Sequence, residues 1–283
     1  MSQYKTDHLQ QVVDIIVKSV APEKIYLLGV CFIRQYEEII FLPGGASHCL
    51  DRVTNYYLSV ITRSDDKRST DELQDMIEGR CKCHATPVTV YIDPKHVFDE
   101  WLATGNYFAY KVNKQGLLLY EAGDNTGTET PVTEKEPDEQ LTNNCDEKEI
   151  TRSNNTIAEF LAGTELYRLR KQFSLAAFLL HQAAEQAFTL IIQLITGYRA
   201  VTHNLDKLLR YTKPLSVKIA ALYQLVSEKE NKNFRLLQQA YIHSRYRNDY
   251  SIKETELCFL LRQVKQLQQI AAEIAEERVA ASG

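Results

Sequence analysis

The chain has 283 residues, a formal net charge of −4 and 44% hydrophobic residues. This length predicts about two domains, each large enough to bury a core. The 11 glycines and 7 prolines are few, which excludes collagen-like and low-complexity proteins and favours helix. The slightly acidic balance excludes a general nucleic-acid coat protein, so any site for a polyanion has to be local.

The sequence carries no signal that directs it to a membrane. It contains no apolar run of about 18 residues and does not open on a basic region followed by an apolar core, so neither a membrane span nor a signal peptide is predicted. We expect a cytoplasmic protein whose six cysteines stay reduced. No metal ligand set and no cofactor are predicted.

Residues 1–120 mix helical and strand periodicity, which predicts an α/β domain with a small mixed sheet. Short apolar runs bounded by polar residues or proline predict the strands, and two further runs surround Gly116. The predicted elements are a helix at Leu9–Val17, a strand at Lys24–Gly29, a strand at Tyr56–Thr62, a helix at Thr70–Gly79 and a strand at Val88–Asp93.

Residues 121–150 form a break in the pattern. The segment holds ten acidic residues against two lysines, a net charge of −8, and it has no apolar periodicity. Such a composition does not bury enough apolar surface to offset the entropy lost on ordering. The sequence therefore predicts an acidic flexible linker between two domains.

Residues 151–283 show helical periodicity with no strand signal, which predicts a helical bundle. This part has 18 basic and 12 acidic residues, a net charge of +6, so the positive charge of the chain is concentrated here. The predicted helices are Thr156–Lys171, Ser174–Thr196, Asn204–Tyr211, Ser216–Ser227, Asn233–Tyr246 and Glu254–Val279.

Three blocks in this second half carry a family resemblance. They are FLLHQAAEQA at 178–187, THNL at 202–205 followed by two leucines, and AYIHSRYRNDY at 240–250. In this order they resemble the HEPN domain, the higher eukaryote and prokaryote nucleotide-binding domain. The resemblance implies an all-α up-and-down bundle that forms a homodimer and has a polar cleft at its helix ends. Many members are metal-independent ribonucleases, and others bind nucleotides.

The spacing of arginine and histidine separates these two groups of HEPN domains. Ribonuclease members place a histidine after an arginine with four to six residues between them. Here three residues separate Arg199 from His203, and seven separate Arg235 from His243. The chain is therefore more similar to the sacsin-like, nucleotide-binding subgroup.

The predicted nucleotide site combines cations with an aromatic ring. Arg245 and Arg247 flank Tyr246, which suits a phosphate and a stacked base. His203 and Asn204 open a predicted helix whose free N–H groups favour an anion. The predicted nucleotide-binding residues are completed by Asp249 and Tyr250.

A structural explanation is available for two of these residues. Arg245 would pair with Asp249 one turn later, and His203 would serve only as a helix cap. His181 and Glu185, also one turn apart, are predicted to form a buried polar pair that fixes the register of the bundle.

Residues 8–120 resemble a minimal nucleotidyltransferase domain, in which a Gly-Ser turn precedes a strand that opens with Asp-x-Asp. Gly29 matches the glycine, but Val30 replaces the serine, and Asn55, Tyr56 and Tyr57 occupy the region of the two carboxylates. Nucleotidyl transfer needs acidic oxygens that hold Mg²⁺. Asp93 alone matches a third carboxylate, so we expect a degenerate domain without transferase activity.

The function predicted from these patterns is binding of a nucleotide or RNA by the helical domain. A ribonuclease with a non-standard site of Arg245, Arg247 and His203 or His243 is the first alternative. An active nucleotidyltransferase and a purely structural interaction module are the others.

A wide apolar stripe on the last predicted helix favours self-association of the bundle, as a homodimer. Its members are Leu257, Leu260, Leu261, Val264, Leu267, Ile270, Ala271 and Ile274.

Limited proteolysis tests the domain boundaries. Because the acidic linker is predicted to be mobile, a protease should cut first within residues 121–150 and release a folded helical fragment of about 151–283. Mass spectrometry locates the cut, and circular dichroism checks the fragment. First cleavage inside the helical half would contradict these boundaries.

Overall fold

The computed structural model describes residues 7–38, 47–84, 87–123, 135–136, 147–224, 227–246 and 250–282. The chain divides into two compact units, Met1–Pro137 and Asp138–Gly283. The first contains a mixed sheet with helices and the second contains helices. This is the fold class that the sequence predicts.

The first unit is organised around a sheet of four described strands. Its strands are β1 (Lys24–Glu38), β2 (Ser47–Thr62), β3 (Val88–Pro94) and β4 (Leu117–Glu121). Their order is β3-β2-β1-β4. β1 runs antiparallel to β2 and to β4, whereas β2 and β3 are parallel. The sheet is therefore small and mixed.

Helices cover both faces of this sheet. They are α1 (Asp7–Val20), α2 (Thr70–His84), α3 (Lys95–Thr104) and α4 (Tyr107–Gln115). On one face, apolar residues of α1 and α2 form the core with alternate residues of the strands, among them Val12, Leu58 and Val90. On the other face, the ring of Tyr91 lies 5.4 Å from that of Phe108 in α4.

Several elements of this unit differ from the prediction. β1 and β2 extend beyond Gly29 and before Tyr56, because the two strands continue to pair with each other past the ends of their neighbours. α3 has no counterpart among the predicted elements, and the run before Gly116 is helical. Alternation of single apolar residues over such short stretches fits a helix and a strand equally well.

The second unit has no strand among its described residues. Its helices are α5 (Glu147–Leu169), α6 (Phe173–Thr196), α7 (Leu205–Thr212), α8 (Val217–Leu222), α9 (Glu228–Tyr246) and α10 (Glu254–Ser282), with a 3-10 turn at Lys213–Leu215. Most of these agree with the prediction, but α8 ends earlier than the predicted Ser227.

α6 is the central helix of this unit. It packs against α5, α7, α9 and α10. By length and composition alone, this helix is apolar enough to cross a membrane, but 67% of its most apolar window is buried inside the unit. Contacts with four other helices explain its apolar composition.

The apolar stripe of α10 does not support the predicted self-association. Leu257, Leu260, Val264 and Leu267 are fully buried within a single chain, where α10 packs on α6 and α5. The stripe is wide because a terminal helix here contributes to the core. A homodimer remains a prediction without this argument.

The predicted acidic linker, 121–150, is shortened at both ends. Glu121 closes β4, and α5 begins at Glu147 instead of the predicted Thr156. Glu147 and Glu149 lie in the first turn of α5, where negative charge is favourable, and Ile150 is buried. The acidic composition of residues 147–150 led the sequence analysis to assign the first turn of α5 to the linker. Residues 124–134 and 137–146 lie outside the described residues.

Gly116 marks a tight junction between α4 and β4. Its N–H donates to the Val112 carbonyl oxygen over 2.9 Å, and a Cβ atom built at Gly116 would clash with that oxygen. By contrast, a Cβ at Gly79 in α2 would meet nothing within 4 Å.

We therefore expect opposite effects from two Gly→Ala substitutions in the first unit. Gly116→Ala should destabilise it by about 1–3 kcal/mol, because the backbone has to move. Gly79→Ala should stabilise it by roughly 0.5–1 kcal/mol, since alanine is the better helix former. Chemical denaturation measures both, and equal effects would contradict the assigned geometry at Gly116.

Candidate functional site

A polar stripe on α6 forms the inner wall of the candidate site. Phe178, His181, Gln182 and Glu185 follow one another at helical spacing on one side of the helix. The side chain of His181 is fully buried, and that of Glu185 is 9% exposed. The sequence prediction that these two residues are a buried pair is confirmed.

A single amide connects His181 to Glu185. The Gln182 Nε2 group donates to Glu185 Oε2 over 3.2 Å and lies 3.3 Å from His181 Nδ1. His181 Nε2 has no hydrogen-bond partner among the described residues. Burial lowers the pKa of His181 to about 4, so the ring is neutral at pH 7.

The segment between α6 and α7 brings His203 to this stripe. His203 Nδ1 lies 2.9 Å from Glu185 Oε1, and the imidazole is 59% exposed. Burial raises the pKa of the Glu185 carboxyl, and the hydrogen bond with His203 partly offsets that rise. The site thus pairs the half-exposed imidazole of His203 with the buried carboxyl group of Glu185.

α9 supplies the aromatic side of the site. The Tyr241 ring is stacked on that of His203, with centroids 4.6 Å apart and an interplanar angle of 19°. It is also stacked with His181, at 5.2 Å and 28°. Nearly one turn before Tyr241, Gln238 Oε1 accepts the N–H of Leu205 over 2.6 Å and so attaches the start of α7 to α9.

Arg245 lies one turn beyond Tyr241 on α9. Its guanidinium carbon is 4.8 Å from the centroid of Tyr241 and 4.9 Å from that of Phe178. Its Nε–H donates to the Tyr241 carbonyl oxygen over 2.9 Å. A guanidinium within cation–π distance of two rings keeps its planar donor fork while it loses side-chain freedom. We call Phe178, Glu185, His203, Tyr241 and Arg245 the arginine–aromatic cluster.

The cluster lies inside a region with a recognised family pattern. Residues 158–277 match the family model of the HEPN domain. These residues form a HEPN domain. No curated protein matches the chain. The domain contains every member of the arginine–aromatic cluster, and it indicates a function related to nucleotides or RNA.

Two of the predicted site residues come together in the HEPN domain, whereas a third has a capping role. His203 and Arg245 both contact the Tyr241 ring. Asn204 is the N-cap of α7, where its Oδ1 accepts the N–H groups of Asp206 and Lys207. Because protein groups occupy these donors, the start of α7 does not offer the free N–H groups that the sequence predicted for an anion.

The other predicted residues lie at or beyond the end of α9. The helix continues through Tyr246, and Arg245 packs on the ring of Tyr241, four residues earlier. The side chain of Tyr246, and Arg247 and Asp249 entirely, lie outside the described residues. The Tyr250 hydroxyl donates to the Leu236 carbonyl oxygen over 3.0 Å, which ties the segment before α10 to α9.

The sequence analysis missed Phe178, Tyr241 and Gln238 as members of the site. Tyr241 and Gln238 precede Arg245 by four and seven residues, which places all three on one side of α9. That spacing was a usable signal. His243 of the ribonuclease alternative lies two residues after Tyr241, and so points from a different side of the helix.

The first unit does not assemble a catalytic centre from the residues that the sequence singled out. Tyr56 is 1% exposed and belongs to the core, and the Asn55 amide donates to Thr89 Oγ1 over 2.9 Å. Asp93, at the end of β3, is buried, and its Oδ2 has no hydrogen-bond partner within the described ranges. Among the residues that the structure describes, no group of three or more His, Cys, Asp and Glu side chains could hold a metal ion.

The isolation of Asp93 predicts a dependence of stability on pH. Burial raises the pKa of its carboxyl from 3.8 to about 7. The folded protein therefore retains a proton that the unfolded chain releases near pH 4. Proton binding stabilises the fold below pH 4, and this stabilisation is lost as the pH rises to about 7.

Asp93→Asn removes this titration. We expect the stability of the variant relative to the wild type to be greater at pH 8 than at pH 4, by up to about 4 kcal/mol. Denaturant unfolding of both proteins at several pH values measures the difference. An equal effect at both ends of the range would show that Asp93 ionises normally in the fold.

Proposed function

We propose that the HEPN domain binds the phosphate of a nucleotide or of RNA at Arg245. The observation that carries this proposal is the position of the guanidinium, which lies over the rings of Tyr241 and Phe178 beside His203. An exposed arginine that is ordered by two aromatic rings presents a fork of donors that matches a phosphate. The net charge of +6 over residues 151–283 supports binding of an anion.

The same cluster has rings that suit a base. The imidazole of His203 is 59% exposed and extends the aromatic surface of Tyr241. Bases stack on such surfaces without a strong sequence preference. In this proposal, Tyr241 and His203 take the role that the sequence analysis gave to Tyr246. His181 contacts the Tyr241 ring and Glu185 contacts His203, and both support this surface from the core side.

We assign the first unit a non-catalytic role. Its mixed sheet is compatible with a nucleotidyltransferase-like domain. The core position of Tyr56 and the single, buried carboxyl of Asp93 support a degenerate member that does not transfer nucleotides. Membership of the HEPN domain in the sacsin-like subgroup belongs to the same proposal, since the nuclease spacing is absent from its sequence.

One observation favours a second function, cleavage of RNA. The hydrogen bond between Glu185 and His203 is 2.9 Å long and links a buried carboxylate to an exposed imidazole. Such a pair is suited to move a proton, with Arg245 as the cation that holds a phosphate. Glu185→Gln separates the two functions, because it should abolish cleavage and leave phosphate binding at Arg245 largely intact.

Calorimetry with ATP and with a short RNA tests the proposed binding. We expect Arg245→Ala to weaken both interactions roughly ten- to a hundredfold, since a charge-assisted hydrogen bond contributes about 1.5–3 kcal/mol. Arg245→Lys should have an intermediate effect, because it keeps the charge and loses the planar fork. Binding should also weaken as salt rises.

The matched control is Lys229→Ala, which removes an exposed cation from the first turn of the same helix. It should bind like the wild type, and circular dichroism should show that all variants are folded. If the wild type binds neither ligand at millimolar concentration, or if Arg245→Ala binds equally well, the proposal is wrong and the domain is a structural interaction module.

A further inference from the structure

We infer that the turn between α5 and α6 is a second phosphate subsite, so that the ligand of the HEPN domain is a single strand of nucleic acid and not a free nucleotide. The subsite consists of Arg170 and Lys171, which lie between the last residue of α5 and the start of α6. This inference rests on the proposed binding at Arg245 and extends it.

The backbone of the turn is fixed by hydrogen bonds. The N–H of Lys171 donates to the Arg168 carbonyl oxygen over 2.9 Å, and that of Gln172 donates to the Tyr167 carbonyl oxygen over 2.9 Å. The carbonyl oxygen of Gln172 in turn accepts the N–H of Ala176 in the first turn of α6. The two cations are therefore presented by a defined turn that joins two long helices.

Lys171 has a backbone conformation that glycine adopts more easily. Its φ angle is +57°, in the left-handed region, at the position after a helix where glycine is the usual residue. The helix that follows, α6, ends in this usual way, with Gly197 at φ +75°. A lysine at such a position is less favourable for folding than glycine.

The charges of the turn are not neutralised by the described part of the chain. Arg168, just before the turn, is paired with Glu165 and Glu254. Arg170 and Lys171 are exposed, and neither forms an ion pair with any described residue. The turn thus adds two positive charges that are accessible to an anion.

The turn lies close to the arginine–aromatic cluster. Phe178, which contacts Arg245, is five residues after the first residue of α6, or about 8 Å along the helix axis. Ser174 Oγ lies 3.4 Å from the Tyr250 carbonyl oxygen, so the segment after α9 also passes this end of α6. At about 3.4 Å per stacked nucleotide, two or three nucleotides span this distance.

A strand that places one phosphate at Arg245 therefore brings a neighbouring phosphate to the turn. A nucleoside monophosphate has a single phosphate, so when that phosphate is bound at Arg245 it has none left for Arg170 and Lys171. Single strands fit better than a duplex, because the rings of Tyr241 and His203 need an unstacked base. The contacts are to phosphates, so RNA and DNA strands share the chemistry that the turn recognises.

The experiment compares AMP, which has a single phosphate, with an oligonucleotide of about ten nucleotides, as RNA and as DNA, on the full chain. We expect Lys171→Gly and Arg170→Ala each to weaken oligonucleotide binding roughly two- to fivefold. The slope of log K against log salt should decrease in magnitude by about 0.7 for each variant. AMP binding should not change.

A stability measurement separates this role from a structural one. Lys171→Gly should leave the melting temperature equal or raise it, because glycine relieves the left-handed backbone. A variant that gains stability and loses affinity for the strand has lost a contact and not its fold. Lys229→Ala, about 24 Å along α9 from Arg245, is the control for the loss of one charge and should bind like the wild type.

Three results would overturn the inference. Equal oligonucleotide affinity for the wild type and both turn variants would remove the subsite, while AMP binding lost in Arg245→Ala would leave the proposed function standing. Absence of binding to both ligands would remove the proposed function and the subsite together. Binding to anionic phosphatidylserine vesicles that Lys171→Gly weakens, with oligonucleotide binding unchanged, would assign the turn and its exposed Leu169 to a lipid surface.

Discussion

Burial of the Glu185 carboxylate is the constraint on which the candidate site depends. α6 is packed against four other helices, and its polar stripe faces α9 and the segment before α7. A carboxylate in such surroundings needs partners, because an unpaired buried charge is costly. Gln182 and His203 are those partners. His203 in turn orders Tyr241, and Tyr241 orders Arg245, so the exposed cation is held through a series of contacts that begins in the core.

The helical unit was predictable in outline because its helices are long and strongly periodic. The order of the three blocks led to the HEPN domain and to Arg245, and the spacing of His181 and Glu185 led to their buried pair. The role of Tyr241 escaped the sequence analysis, although its distance of four residues from Arg245 indicated it. The pairing of Glu185 with His203 lies beyond such patterns, since a tertiary contact between residues 18 apart leaves no periodic trace.

The first unit was less predictable from the sequence than the helical unit. Its short β-branched runs placed the strand centres, yet they predicted neither the long pairing of β1 with β2 nor the helices α3 and α4. Strand length depends on the partner strand, which a local pattern does not contain. The burial of Tyr56 and Asp93 on opposite faces of the sheet depends on the helices that cover each face. Only the structure shows that both faces are covered.

α6 is both the central helix of the domain and the inner wall of the site. This double role affects which residues change during evolution. Substitutions at His181 or Glu185 disturb packing, so selection for folding alone retains them after a ligand is lost. Arg245 is exposed, and folding constrains it less. In a lineage that abandons the ligand, Arg245 should drift first, while the polar stripe of α6 persists as a record of the former site.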